Sequence, residues 1–191
     1  MKKNKIMIKK KITTGLIGKQ EVFKVMALGE VTGLGTLLIG VPGTAKTRSV
    51  LDYAKSSYAT TAELLKNTFI LETDEGTKAS EVKGRVDLGK LTTENKYELN
   101  SPITNSKYIV INEVDKGSSA IRNSLLGIMN EKILFNGDSK VPCQWKLFVA
   151  TCNEIPEDEK DSPFWDRFIL KTTVNRMTAA QMTTYFEAGD K

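Results

Sequence analysis

The chain has 191 residues, 40% apolar and 27% charged, with a formal net charge of +5. This supports one sizeable core, and no apolar run approaches the length of a bilayer span or a secretory signal. Histidine is absent, which excludes a Ser-His-Asp triad, Cys-His catalysis and every His-ligated metal. Any chemistry falls to carboxylates, amides, lysine, arginine and a bound ion, as phosphoryl transfer allows.

Residues 1–11 hold six lysines, more than the whole net charge, so the basicity belongs to an N-terminal tail. Such a tail can touch nucleic acid or acidic partners, or simply be solvated; nothing else here points to DNA readout. From Lys19 to about Val31 the spacing predicts a helix with Val22, Phe23, Met26 and Ala27 on one face.

A strand is expected near 35–40, then Gly40-Val41-Pro42-Gly43-Thr44-Ala45-Lys46-Thr47, then a helix near 46–57. A buried strand that breaks at glycine and re-enters as a helix aims free N–H groups, and the positive end of the helix dipole, at one spot. That is a phosphate socket. Gly40 and Gly43 permit the turn, Lys46 offers a point charge to the β- and γ-phosphates, and the Thr47 hydroxyl can ligate magnesium. Ala45 stands where the strict pattern has glycine, so an unliganded strand–glycine–lysine turn shares this local signature.

A strand near 67–72 follows. Arg85-Val86-Asp87-Leu88 and Tyr97-Glu98-Leu99 flank a polar turn and read as a hairpin. Lys107 to Asn112 is an apolar run whose tip, Asn112-Glu113-Val114-Asp115, turns acidic. It reads as a buried parallel strand reaching a ligand crevice. In P-loop NTPases such a strand ends in two acids, one holding magnesium's hydration shell and one polarising the attacking water. Glu113 fits the second role. Asn112 departs from the first: its carbonyl can still accept from a magnesium-bound water, but without charge.

A helix is expected near 118–131, with Arg122 on its surface. Leu134-Phe135-Asn136-Gly137-Asp138 into Val141-Pro142 carries an Asn-Gly turn signal and reads as a second hairpin. A further strand near 146–152 ends before Asn153, whose amide can donate to a γ-phosphate and accept from a water. Of the two cysteines, Cys143 and Cys152, neither has metal-ligand spacing, and both suit a reducing, cytoplasmic setting. Pro163 to Asp166 reads as a short helix, Arg167 stands beside it, and a last strand is expected near 167–172. Strands alternating with helices argue a parallel sheet covered on both faces.

In this order and spacing the chain resembles the AAA+ ATPases, and within them the MoxR branch, nearest its RavA-like members. Leu16-Ile17-Gly18-Lys19 resembles the motif before the first helix, Gly-Val-Pro-Gly-x-Ala-Lys-Thr is a P-loop form common in that branch, and Ser80-Glu81-Val82-Lys83-Gly84 is similar to its Ser-Asp-Ile-x-Gly stretch. The helix Asn123 to Glu131, the sensor segment Asn153 to Glu157 and the arginine-finger segment Trp165 to Phe168 also match, so the likeness runs from about 15 to 172.

The resemblance implies an α/β P-loop NTPase with a five-stranded parallel sheet sandwiched by helices, plus two hairpin insertions. The expected organisation is a tail at 1–11, a nucleotide-binding domain at 12–175, and a linker or first lid helix at 176–191 with the lid truncated or missing. It places ATP on Ile17, Gly18, Gly40, Pro42, Gly43, Thr44, Ala45, Lys46 and Thr47, magnesium on Thr47 and through water on Asn112, and catalysis on Glu113, Asn153 and Arg167. Arg167 would face a neighbour's nucleotide in a ring, a hexamer by family expectation, or else pair with Asp166 or Glu113. The second hairpin would interrupt the helix after the acid-tipped strand, contacting a partner or lining a pore, or be a surface excursion. The implied function is ATP-driven, chaperone-like remodelling or maturation of a protein partner, such as one carrying a von Willebrand factor A type domain. A nucleotide-dependent assembly module with little turnover is the alternative, and a DNA-directed motor a third reading.

Overall fold

The computed structural model describes residues 18–86, 99–136, 139–160 and 162–183. Helix α1 (Gln20–Thr32) leads to β1 (Thr36–Ile39) and α2 (Lys46–Lys55); α3 (Thr61–Lys66) then precedes β2 (Thr68–Glu72). Next come α4 (Ala79–Lys83), the short strands β3 (Arg85–Val86) and β4 (Leu99–Asn100), α5 (Pro102–Asn105) and β5 (Tyr108–Asn112). Helix α6 (Ser119–Glu131) runs into β6 (Ile133–Asn136) and β7 (Ser139–Pro142), followed by β8 (Leu147–Cys152), a 3-10 turn (Glu157–Glu159), α7 (Pro163–Asp166) and β9 (Leu170–Thr173).

Five strands form one parallel sheet in the order β2-β5-β8-β1-β9. Side chains alternate across it with the period of two that a strand imposes. Leu37, Ile109, Ile111, Phe148 and Ala150 face α6 with Ile121, Leu125 and Ile128, as part of one buried cluster. Leu38, Tyr108, Val110, Leu147 and Val149 face α1 and α2 with Val22, Phe23, Met26, Ala27 and Val50. Because both faces are covered, β5 and β8 are buried at every position, and each fully buried large apolar side chain contributes about 1.5–3 kcal/mol.

The expected architecture stands, with local corrections. The last strand starts at Leu170 rather than near 167, since Arg167, Phe168 and Ile169 donate their N–H groups to Phe164, Trp165 and Arg167 carbonyls and stay in a turn. Phe168 is buried there against Phe164 and Phe148, so its apolar character belongs to an aromatic cluster below the sheet. The hairpins exist: Arg85 pairs with Asn100 and Val86 with Leu99, and β6 pairs antiparallel with β7. The second one follows α6 instead of interrupting it, because Lys132 ends the helix in the left-handed conformation. The inner arms 87–98 of the first hairpin, the turn Gly137-Asp138, the tail at 1–11 and Ile17 lie outside the described residues. The segment after 176 shows a helical turn over 179–183.

Arg122 is the clearest correction. It is 8% exposed, not on the surface. One guanidinium nitrogen donates to the Gly117 carbonyl at 2.7 Å and another pairs with the Glu159 carboxylate, which also lies 3.4 Å from the Trp165 indole nitrogen. Removing Arg122 strands those acceptors, so Arg122→Ala is expected to destabilise the fold by about 1–3 kcal/mol. Urea denaturation checks this; a change below about 0.5 kcal/mol is what a surface arginine gives.

Candidate functional site

Strand β1 is held on both sides at its C-terminal end. The Gly40 N–H donates to the Cys152 carbonyl at 3.1 Å, and the Val174 N–H to the Ile39 carbonyl at 2.7 Å. A Cβ on Gly40 would lie 2.4 Å from the Val174 carbonyl oxygen, so only glycine fits between the neighbouring chains. The loop then turns through Gly43 at φ 79° and Ala45 at φ 62°, and α2 starts at Lys46 without a side-chain cap. Left-handed backbone costs a non-glycine residue about 1–2 kcal/mol, so Ala45 is held in the conformation that a glycine at this position would adopt freely. Pro42 is exposed in the loop, while Thr44 is buried and donates to the Val41 carbonyl at 2.9 Å. The uncapped first turn of a ten-residue helix is suited to an anion.

Lys46 folds back over this loop. Its ammonium donates to the Gly40 carbonyl, to the Val41 carbonyl at 3.3 Å and to Asn153 Oδ1 at 3.0 Å. Burial lowers its pKa, and the nearby charges of Asp115 and Glu113 act against that shift. Thr47 Oγ1 donates to Asn112 Oδ1 at 2.9 Å, joining the loop to the tip of β5. Asn112 is buried, and the same Oδ1 accepts from Thr151 Oγ1 at 3.3 Å.

Glu113 leaves the strand at φ 54°, a second strained position at this site. Its N–H donates to Thr151 Oγ1 at 3.3 Å, and its half-buried carboxylate accepts from Lys116 Nζ at 2.6 Å. The Thr73 hydroxyl lies 2.9 and 2.8 Å from the Asn112 and Glu113 carbonyl oxygens, and so pins this turn. The Asn153 N–H donates to Asp115 Oδ2 at 3.3 Å, whereas Asp115 Oδ1 is buried with no partner among the described residues. Burial pushes the neighbouring Cys152 thiol up to about 12, so Cys152 acts as a packed apolar group.

The structure thus gathers the loop 40–47, Asn112, Glu113 and Asn153 at the C-terminal ends of β1, β5 and β8. This is the crevice where the connection from β1 crosses to the far edge of the sheet and the chain order reverses. Gly18 lies apart from them in sequence and packs on Gln181, whose amide a Cβ at Gly18 would overlap. Arg167 is not in the gathering. It is exposed and precedes β9, three residues before the Leu170 that is in register with Thr36, at the start of β1. The sheet therefore separates it from the loop by four residue pairs, roughly 13 Å at about 3.3 Å per residue. Its side chain makes no ion pair with Asp166 or Glu113.

Sequence reasoning missed Thr73, Thr151 and Asp115. Thr151, a hydroxyl next to the strand end and two residues before Asn153, was the one with a readable position. Thr47, Asn112, Glu113 and Asp115 present oxygen donors only. That is the chemistry magnesium takes when phosphates and water complete its octahedron, and one Asp115 oxygen beside this set is buried without a hydrogen-bond partner.

The comparisons agree with this geometry. A family model described as the MoxR domain of MoxR–vWA–β-propeller ternary systems matches residues 3–191. Two uncharacterised proteins of Methanocaldococcus jannaschii are similar: one is 26% identical over 91% of this chain and 44% of its own length, the other 28% over 87% and 43%. A structural protein of Acidianus two-tailed virus is 29% identical over 82% of this chain and 25% of its own. The chain spans less than half the length of these relatives. A crystal structure from Cytophaga hutchinsonii, described as a candidate ATPase, superposes with a TM-score of 0.63 at 21% identity, covering 94% of this chain and 53% of that one; it shows the fold. With the family matched over nearly the whole sequence, the chain belongs to the MoxR family of AAA+ ATPases.

Proposed function

We propose that this chain is an ATP-binding and ATP-hydrolysing core that works on a protein partner. The observation that carries the reading is the Thr47–Asn112 hydrogen bond at 2.9 Å, which brings a phosphate loop and a strand tip from 65 residues apart into one crevice. The N–H groups of the loop and Lys46 bind the β- and γ-phosphates. To reach them, Lys46 exchanges its carbonyl and Asn153 contacts for phosphate oxygens. Glu113 polarises the attacking water and Asn153 orients it against the γ-phosphate. Thr47, and Asn112 through a water, would hold magnesium, which would supply neutralisation of the phosphate oxygens.

Arg167, set at the opposite end of the sheet, completes a neighbour's site in a head-to-tail ring, for which six subunits is the family expectation. The vWA and β-propeller components of the ternary systems named by the family make a von Willebrand factor A type protein the natural partner. Among the described residues no helix is long and apolar enough to cross a membrane, which fits the cytoplasmic setting proposed for it. A second reading, an assembly module with little turnover, is favoured by two observations. Asn112 brings no charge, and the Glu113 carboxylate is already paired with Lys116 at 2.6 Å.

Lys46→Ala tests the phosphate site. Losing the one cation aimed at partly desolvated phosphates is expected to cost about 1.5–3 kcal/mol of ATP binding, read by calorimetry with circular dichroism unchanged. Equal affinity in the variant removes the assignment. Glu113→Gln separates the two readings. It is expected to keep ATP bound and slow steady-state hydrolysis by orders of magnitude, whereas an assembly module shows the same low turnover in both forms.

A further inference from the structure

The strand tip holds an amide where a site of this kind uses a carboxylate, yet the following turn carries a carboxylate that nothing so far employs. Asp115 lies on the turn after β5, which crosses the end of β8 through a Val114 N–H to Thr151 carbonyl bond of 2.9 Å. One of its oxygens accepts from the Asn153 N–H at 3.3 Å, and the Asn153 side chain accepts from Lys46 Nζ at 3.0 Å. A single residue therefore stands between Asp115 and the phosphate-binding lysine.

The other oxygen is buried and unpartnered, a costly arrangement for an ionised group unless a donor or cation completes it. The nearby cations are engaged elsewhere: Lys116 with Glu113, Arg122 with Glu159, Lys46 with the loop carbonyls and Asn153. Asn112, by contrast, already spends its amide oxygen on two hydroxyls, Thr47 and Thr151.

We infer that Asp115 supplies the negative charge that Asn112 lacks, as a positioning residue that holds Asn153 with one oxygen and whose buried charge, one residue away from Lys46, acts across the site on the hydrated divalent cation of the nucleotide. The inference rests on the ATP-site reading above. It divides between two residues what one aspartate would do alone: Asn112 keeps the hydrogen-bond geometry with Thr47, and Asp115 keeps the charge.

The test is calorimetry of the full chain with a non-hydrolysable ATP analogue, titrated at a series of magnesium concentrations and again in EDTA. The proteins are wild type, Asp115→Asn, Asn112→Asp and the double exchange. Asp115→Asn is expected to weaken magnesium-dependent binding by about ten- to a hundredfold, the usual range for residues that support a metal indirectly, with the EDTA affinity unchanged. Asn112→Asp alone lowers the magnesium concentration needed. The double exchange returns the dependence to near wild type.

An equal loss in magnesium and in EDTA shows that Asp115 only anchors the Asn153 peptide, and overturns the inference. So does an unchanged magnesium dependence, or a double exchange no better than Asp115→Asn. If Asp115→Asn melts well below wild type, Asp115→Ser supplies the same comparison. A wild type that binds no analogue removes the nucleotide reading itself, whereas a wild type that binds with magnesium beside an indistinguishable Asp115→Asn removes the inference alone.

Discussion

The pairing of β1 with β8 is the constraint from which the site follows. These strands are far apart in sequence, and they lie side by side only because β2 and β5 have been placed beyond β8. The Gly40 N–H bond to the Cys152 carbonyl closes that seam at its C-terminal end. On one side of it the loop turns into α2; on the other Asn153 emerges and meets Lys46. Had the chain laid its strands in sequential order, the loop would sit beside the tip of β2, and neither Asn112 nor Asn153 would be within reach. The right-handed crossovers of a parallel sheet make this gap at the strand ends unavoidable, and the polar tips of β5 and β8 fill it.

Around the gap the backbone is held where isolated residues do not rest. Ala45 and Glu113 both adopt positive φ, at 62° and 54°. Each is over-determined by neighbours: Ala45 by the start of α2, whose Ser49 N–H and Oγ both donate to its carbonyl, and Glu113 by Thr73 and Thr151. Strain of about 1–3 kcal/mol at each is offset by the packed sheet below. The gain is position. Glu113 is turned out of the strand instead of alternating into the core, and α2 begins abruptly enough to leave its first N–H groups directed at the crevice.

The strands of the sheet and the glycine-containing turn into α2 were legible because both are local. The unbroken apolar runs at 108–111 and 147–150 follow from burial on two faces, and the loop announces itself by its glycines and Lys46. What stayed hidden depends on residues distant in sequence. Arg122 sits beside the apolar stripe of α6 and reads as solvent-facing; its burial is decided by Glu159, 37 residues on. Phe168 reads as the inner face of a strand, but the turn after α7 claims it. The small helices α4 and α5, five and four residues long, are too short for a periodic signal. Asp115 looked like the end of an acidic run until the Asn153 contact gave it a position. The family match reaches the MoxR domain and does not extend to the RavA-like branch.

The two ends of the molecule are connected as well as separated. From the turn that carries Glu113, the Gly117 carbonyl accepts from Arg122, Arg122 pairs with Glu159, and Glu159 lies within reach of the Trp165 indole on α7, whose last residue precedes Arg167. The path is buried at Arg122 and Trp165, so the turn and the arginine segment cannot shift independently without leaving charged or polar groups unpaired. With the proposed phosphate socket at one end of the sheet and an exposed arginine at the other, one subunit does not bring the two together, since four residue pairs of the packed sheet lie between them. In a head-to-tail ring each arginine would meet the next socket, and the Arg122 path would then lead from one subunit's Glu113 turn to its neighbour's phosphates.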